Sequence, residues 1–596
     1  MTSVETRADS AAPTDLGPYP AAAALEAALG DPRAQDNPFG FTAMLARAEQ
    51  HDFPEALAEI AGPALRLSYI PAEHGGDLIA YDQTLMLVRV AARRDLTIMP
   101  ATMIDITATL CVLLAGSPEQ QDRSVRLLRS GRSIGFAFSE PAHGSDLLAN
   151  TCALTPDPVT GGWILDGEKW LTGFGKHAGA MLVIAHTGGR GPAAYSMALV
   201  YDPLRQSSAR YRLQRPAGMR GTDFAHFHFT ELPVAEDAVV GRIGRGMETA
   251  MRAMQVVRAT STGANLAAVD SALRLTLGFA RHHVVAGCPV DEHPINRREL
   301  GTAAAALLAC DAAALACARS LHTFPAAQSL WSSLLKAVLT ELSTEAFARC
   351  ADVLGTRGVL REGPEGAFDV LRADNAVVRY FDTSPTANLR LVAMQLGRFS
   401  ETGFTAGQHD ALELLSDTFD LDAELPPLDL TKLALSARGL EVVTGGFPVA
   451  AAGMRAMLGA ARPCTGRALD LIDRLERALA ATRTDIAGLS ALSTAERATA
   501  ASDLALRIAY LHAAAVCVQL WWFNRARSLY GTAPGSVDWL LPALTLLLDR
   551  GECRTAPLPM ALADNAFEVV ARLNRDRRLF TARPLPLATE EGTEPL

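Results

Sequence analysis

"FAFSEPAHGSD", residues 136–146, starts as an alternating apolar run and breaks at Pro141 into a small polar turn ending Gly144–Ser145–Asp146. Alternation followed by Pro, Gly and Ser reads as a strand leaving its sheet through a tight turn. Its surroundings have the same texture. "SIGFAFSE", "WILDGEKW", "MLVIAHT", "YSMALVYD" and "FAHFHFT" are short aromatic or β-branched runs separated by Gly, Pro and Asp. They predict a small antiparallel β domain over residues 134–242.

Helical spacing flanks this unit on both sides. "ALAEIAGPALRL" and "QTLMLVRVAARR" precede it, and "METAMRAMQVVRATSTGANLAAVDSALRLTLGFARHH" follows. The pattern predicts an N-terminal helical domain over 21–133, a helical bundle over 243–402 and an additional helical domain over 403–582. The stretch 401–428, with Gly403, Gly407 and Pro426–Pro427, reads as a linker. Residues 1–20 and 583–596 are expected to be disordered. Ser493-Thr-Ala-Glu496 has the spacing of a capping box and predicts a helix start.

The 596 residues exceed one ordinary core, so several packed units are expected. A net charge of -10 argues against a general nucleic-acid binder. Nine cysteines without a CxxC pair point to reduced thiols, a cytoplasmic setting and no zinc or other metal site. The first twenty residues lack an apolar core, so no signal peptide is expected. No apolar run reads as a membrane span; "LHAAAVCVQLWWF" (511–523) is expected to be a buried helix.

Five motifs then come in order. "YIPAEHGG" (69–76), "FAFSEPAHGSD", "GWILDGEKWLTG" (162–173), "GMRGTDFAHFHFTELPV" (218–234) and the pair "LGTRGVLRE" with "RADNAVVRYFDTSPTANL" (354–389) resemble the acyl-CoA dehydrogenase / acyl-CoA oxidase superfamily of flavoproteins. The resemblance covers roughly residues 30–400 and implies three units: an α domain, a β-barrel domain and a four-helix bundle. Acyl-CoA oxidases and very-long-chain dehydrogenases also carry extra C-terminal helices, and the resemblance implies a homodimer.

The resemblance implies FAD between the β domain and the bundle, and α,β-desaturation of an acyl-CoA or acyl-carrier-protein thioester. A carboxylate takes the α-proton while the β-hydrogen leaves as hydride. The base position falls on Asp382; its alternative reading is a cap for the next helix. Relatives that carry a glutamate before an arginine on an earlier helix give no second candidate, because Val257 precedes Arg258. Phe136 and Phe138 would flank the ring, Ser139 would meet its polar edge, and Gly144 and Ser145 would face phosphate or substrate. Leu171, Thr172 and Gly173 would line the ring, with Gly173 opening the N5 region, and Ser384 and Gly355 complete the cofactor set. Arg258 and Phe381 would lie on the substrate side.

Several positions depart from the family. His283 stands where an arginine typically reaches the pyrophosphate across the dimer, Asp352 replaces a glutamine, and Thr356 replaces a glycine. Trp163, Trp170, His226 and His228 read as sheet packing. Three functions are open at this point. One is a desaturase in secondary metabolism, suggested by the Ala- and Arg-rich composition, with electron-transfer flavoprotein or oxygen as acceptor. The second is an oxygen-using oxidase or monooxygenase, and the third a descendant that has lost flavin.

Overall fold

The computed structural model describes residues 17–173, 178–202, 209–381, 383–398, 409–438, 441–458 and 464–589. The N-terminal helices are α1 (Pro20–Leu29), α2 (Phe41–Gln50), α3 (Glu55–Leu67), α4 (Tyr81–Ala92), α5 (Ile98–Ala115) and α6 (Pro118–Arg129). Ser117 starts α6 with a reciprocal cap to Gln120.

The strands follow: β1 (Ser133–Ala137), β2 (Ala153–Pro156), β3 (Trp163–Gly173), β4 (Ala178–His186), β5 (Tyr195–Tyr201), β6 (Ala209–Gln214), β7 (Phe224–Val234) and β8 (Val239–Val240). They form one sheet in the order β6-β7-β3-β2-β4-β5-β8, with β1 beside β4. The sheet is mixed, not purely antiparallel: β1 and β2 both pair with β4 in parallel. Alternate residues of β3 and β7, among them Leu165, Phe227 and Phe229, close an inner core of their own.

The bundle comprises α7 (Gly246–His282), α8 (Pro294–Thr323), α9 (Gln328–Leu354), α10 (Ala367–Val378) and α11 (Pro385–Ala393), with a two-residue hairpin β9 (Val284–Val285) and β10 (Cys288–Pro289) after α7. Helices α7 and α9 run parallel: Arg258 lies beside Ser332, and further along Thr276 bonds Cys350.

The added region holds α12 (His409–Phe419), α13 (Val442–Leu458), α14 (Cys464–Gly488), α15 (Thr494–Phe523), α16 (Leu540–Gly551) and α17 (Met560–Arg575). Ser493 caps α15 with Glu496 as its spacing predicted. Helix α12 occupies part of the stretch read as a linker, where Leu415 and Phe419 are buried. The C-terminal segment is packed up to Thr589, although disorder was expected from residue 583: Leu585 is buried, and Leu587 N–H donates to the Arg577 carbonyl at 2.9 Å. Tyr19, inside the N-terminal stretch expected to be disordered, is also buried.

Among the described residues, three helices, α5, α8 and α15, are long and apolar enough to cross a membrane, contrary to the sequence expectation. They lie mostly inside the packed molecule, the lower-energy place for that apolar surface in this fold.

A buried ionic network ties the two ends of the chain to the bundle. Glu26 of α1 meets Arg93 (3.1 Å) and Arg94 (2.9 Å); Asp270 of α7 meets Arg93 (3.2 Å) and Arg274 (2.7 Å); Asp311 of α8 meets Arg89. The backbone amides of Phe580 and Ala582 donate to Asp270 and Asp311. Burial would raise the Asp270 carboxyl, but the three guanidiniums beside it outweigh burial and hold it below the usual range.

Candidate active site

The turn after β1 is locked by a buried ion pair. Glu140 accepts from Lys169 Nζ at 2.8 Å and from the backbone N–H groups of Thr151 (2.7 Å) and Cys152 (2.9 Å). Lys169, on the inward face of β3, also donates to the Phe138 carbonyl at 3.1 Å. Burial opposes ionisation of Glu140, yet the lysine and the N–H donors together hold its carboxyl below the ordinary value. This pair fixes where the chain leaves β1 relative to β3. The Ser139 carbonyl adds a further tie, accepting from Trp170 N–H at 2.8 Å.

The expected ring-lining residues gather at this exit. The Phe136 and Phe138 rings are 5.4 Å apart. Gly144 (φ +44°) and Ser145 lie exposed on the turn. At the end of β3, Leu171 has a left-handed backbone (φ +52°) and is 43% exposed. Thr172 is buried and its hydroxyl has no hydrogen-bond partner among the described residues.

Gly173 differs from expectation. A Cβ there would come 2.1 Å from Ile104 Cδ1 of α5 and 3.5 Å from Phe224 Cε1. The missing side chain therefore admits Ile104 and does not open the N5 region.

Across from β3 stands the loop before α11. The Phe381 ring lies 5.6 Å from that of Phe224 on β7, so this loop and the β domain face each other. Asp382 lies outside the described residues. Its neighbours are firmly held: Arg258 Nε donates to Thr383 Oγ1 at 3.1 Å, and Arg258 Nη1 donates to Ser332 and Ser333 at 3.3 and 3.2 Å. Arg258 is buried and its guanidinium tethers the loop to α9. Ser384 caps α11, accepting from Ala387 N–H at 3.2 Å.

A second clasp joins the two units. Asp374 of α10 accepts from Met219 N–H, and Gly218 approaches so closely that a Cβ would meet the Ala373 carbonyl oxygen at 2.2 Å. Burial pushes the Asp374 carboxyl up to about 7, with Asp95 adding to the rise and Met219 N–H, Arg220 and Arg361 opposing it.

His283, Asp352 and Gly355 are placed elsewhere. All three are exposed, at the C-terminal ends of the parallel helices α7 and α9. At about 1.5 Å per residue, His283 lies roughly 37 Å along α7 from Arg258. His283 stacks on Phe279 at 4.8 Å, and Gly355 takes φ +55° to end α9. The same end exposes Val284, Val285, Val359 and Leu360.

The residues at the β1–β3 exit fit a planar polar ring: an orphaned buried hydroxyl at Thr172, an exposed Leu171, and two phenylalanines beside them. Those at 283, 352 and 355 are too distant to serve the same ring within one chain. Sequence reasoning missed the Glu140–Lys169 lock, Ile104, and the Thr383 tether. Lys169 could have been found, because a lysine on the inward register of a strand requires a buried partner.

Residues 135–232 match the family model "Acyl-CoA dehydrogenase, middle domain", and residues 244–393 match "Acyl-CoA dehydrogenase, C-terminal domain". A mitochondrial 2-methylacyl-CoA dehydrogenase from Solanum tuberosum is 24% identical over 304 residues, spanning 50% of this chain and 72% of that protein. Butyryl-CoA dehydrogenase from Megasphaera elsdenii superposes with TM-score 0.56 at 15% identity, covering 66% of this chain and 98% of its own. The prolyl acyl carrier protein oxidase AnaB gives 0.55 at 18% identity, covering 59% and 93%. Through its middle and C-terminal segments, the chain belongs to the acyl-CoA dehydrogenase superfamily.

Proposed function

We propose that the protein is an FAD-dependent oxidoreductase that desaturates the α,β bond of an acyl thioester, carried on CoA or on an acyl carrier protein. The observation that carries this reading is the facing of Phe381 and Phe224, which sets the loop holding Asp382 opposite the exit of β3. When bound, FAD would supply the two-electron acceptor for the β-hydride. The chain supplies the rest. Asp382 takes the α-proton, Arg258 positions the loop through Thr383, and the Glu140–Lys169 pair fixes the β1 exit. Phe224, Phe381 and Ile104 keep water from the reacting carbons.

We also infer that the protein works as a homodimer, since His283, Asp352 and Gly355 could reach a pyrophosphate only on a second copy. The exposed valines and leucine around them suit such a contact. The oxygen-using alternative loses its structural motive at Gly173, where Ile104 fills the space. The acceptor remains electron-transfer flavoprotein or oxygen, and cytoplasmic placement and a role in biosynthesis stay proposals resting on composition.

The test is spectral. Purified protein should be yellow, and a panel of CoA and carrier-protein thioesters under anaerobic conditions should contain one that bleaches it. Protein that stays colourless and takes up no FAD on reconstitution would overturn the reading. Rapid reoxidation in air with peroxide would assign oxygen as acceptor.

A further inference from the structure

On the face of the sheet that also carries Phe224, strands β3 and β7 bring Glu168, His226 and His228 together. The period-two alternation of β7 explains the pairing: Phe227 and Phe229 point into the barrel core, so His226 and His228 share the opposite face. Glu168 lies directly across from His228 in the ladder. His226 Nε2 is 2.8 Å from Glu168 Oε2, and His228 Nδ1 is 3.7 Å from the same oxygen. One ligand atom from each residue lies within 4.8 Å of the other two.

We propose that Glu168, His226 and His228 form a binding site for a first-row divalent cation of the Zn²⁺ class. In a tetrahedral zinc site, bonds of about 2.0–2.1 Å place ligand atoms roughly 3.3 Å apart. Two of the separations, 2.8 and 3.7 Å, bracket that value and all three atoms lie within 4.8 Å of one another, so side-chain rotations complete the site. Two imidazoles and one carboxylate select zinc, copper or nickel over magnesium and calcium. His226 is 10% exposed while His228 is 55% exposed, so water can fill the remaining coordination positions. Arg210 and Arg212 of β6 lie opposite His228 and His226, and their charge opposes a cation. That cost weakens the site.

The ion's task would be mechanical. His226 lies two residues, about 7 Å, from Phe224 along β7, and Glu168 lies five residues before Gly173 on β3, so the ion sits beside the cleft and not in it. A bound ion cross-links β3 to β7, the two strands whose ends carry Gly173 and Phe224. The proposal does not depend on flavin binding.

The full-length protein is titrated with Zn²⁺ against a chromophoric chelator, with Co²⁺ absorption as a second probe. One equivalent binds at micromolar concentration, and Zn²⁺ raises the melting temperature. His228→Gln, a change at an exposed position that should not unfold the protein, weakens binding at least about tenfold and abolishes the thermal shift. Absence of saturable binding overturns the proposal. So does binding that survives His228→Gln but is lost in Cys288→Ser, because Cys288 Sγ lies 3.2 Å from His293 Nε2 and offers a rival pair.

Discussion

At the ring end of the candidate cleft, Glu140 and Lys169 are buried, mutually neutralised and tied to the segments flanking β1 and β2, and Arg258 links the facing loop at Thr383 to Ser332 and Ser333 of α9. At the other end, His283, Asp352 and Gly355 lie exposed beside apolar residues that nothing among the described residues of this chain covers. One end is complete within a single fold. The other lies open in the single chain. The three departures from the family pattern, His283, Asp352 and Thr356, are all exposed in the single chain.

The sharpest break of this contrast is Asp382→Asn. If the ring end is the reaction centre, turnover of the cognate thioester falls about 10²- to 10⁴-fold while flavin content is unchanged. Unchanged turnover would remove Asp382 as the base. Next is Glu140→Ala, which leaves the Lys169 ammonium buried and alone; a loss of roughly 3–5 kcal/mol in denaturant unfolding is expected. Glu140→Gln with Lys169→Met should recover most of it, and a single variant as stable as the parent would show that the lock is unimportant.

The inter-unit clasp gives a pH test. The Asp374 carboxyl is pushed up to about 7, above the free value near 4, so the folded state favours its protonated form. The stability it contributes is fully present below about pH 4 and is lost as pH rises through about 7. Asp374→Asn should therefore flatten that part of the thermal-stability profile; a profile that keeps its slope refutes the shift. The smallest effect is at the open end. His283→Arg should tighten flavin binding up to about tenfold by restoring a fork-shaped donor, and only under conditions where the protein is dimeric.

The β domain was legible because its signals are local: alternation, Pro and Gly punctuation, and five motifs in order. Its parallel pairing was not, since strand direction depends on which distant run lies alongside. Helix α12 was missed because Gly403 and Gly407 before it, and Pro426–Pro427 after it, read as one linker. The resemblance named residues 136–173 as a group from short local motifs, whereas the reason for Gly173 lay with Ile104, some seventy positions earlier. Arg258 was assigned to substrate, but its hydroxyl partners Thr383, Ser332 and Ser333 carry no sequence signature linking them to it.

The network around Asp270 and Asp311 has a consequence for synthesis. Their backbone donors, Phe580 and Ala582, are synthesised 310 and 271 residues after the carboxylates they satisfy. Until then the bundle holds acids short of their final partners, so the nascent chain completes this part of its interior only after residue 582 has emerged. A chain stopped at residue 575 should expose that interior to protease, while the finished protein resists.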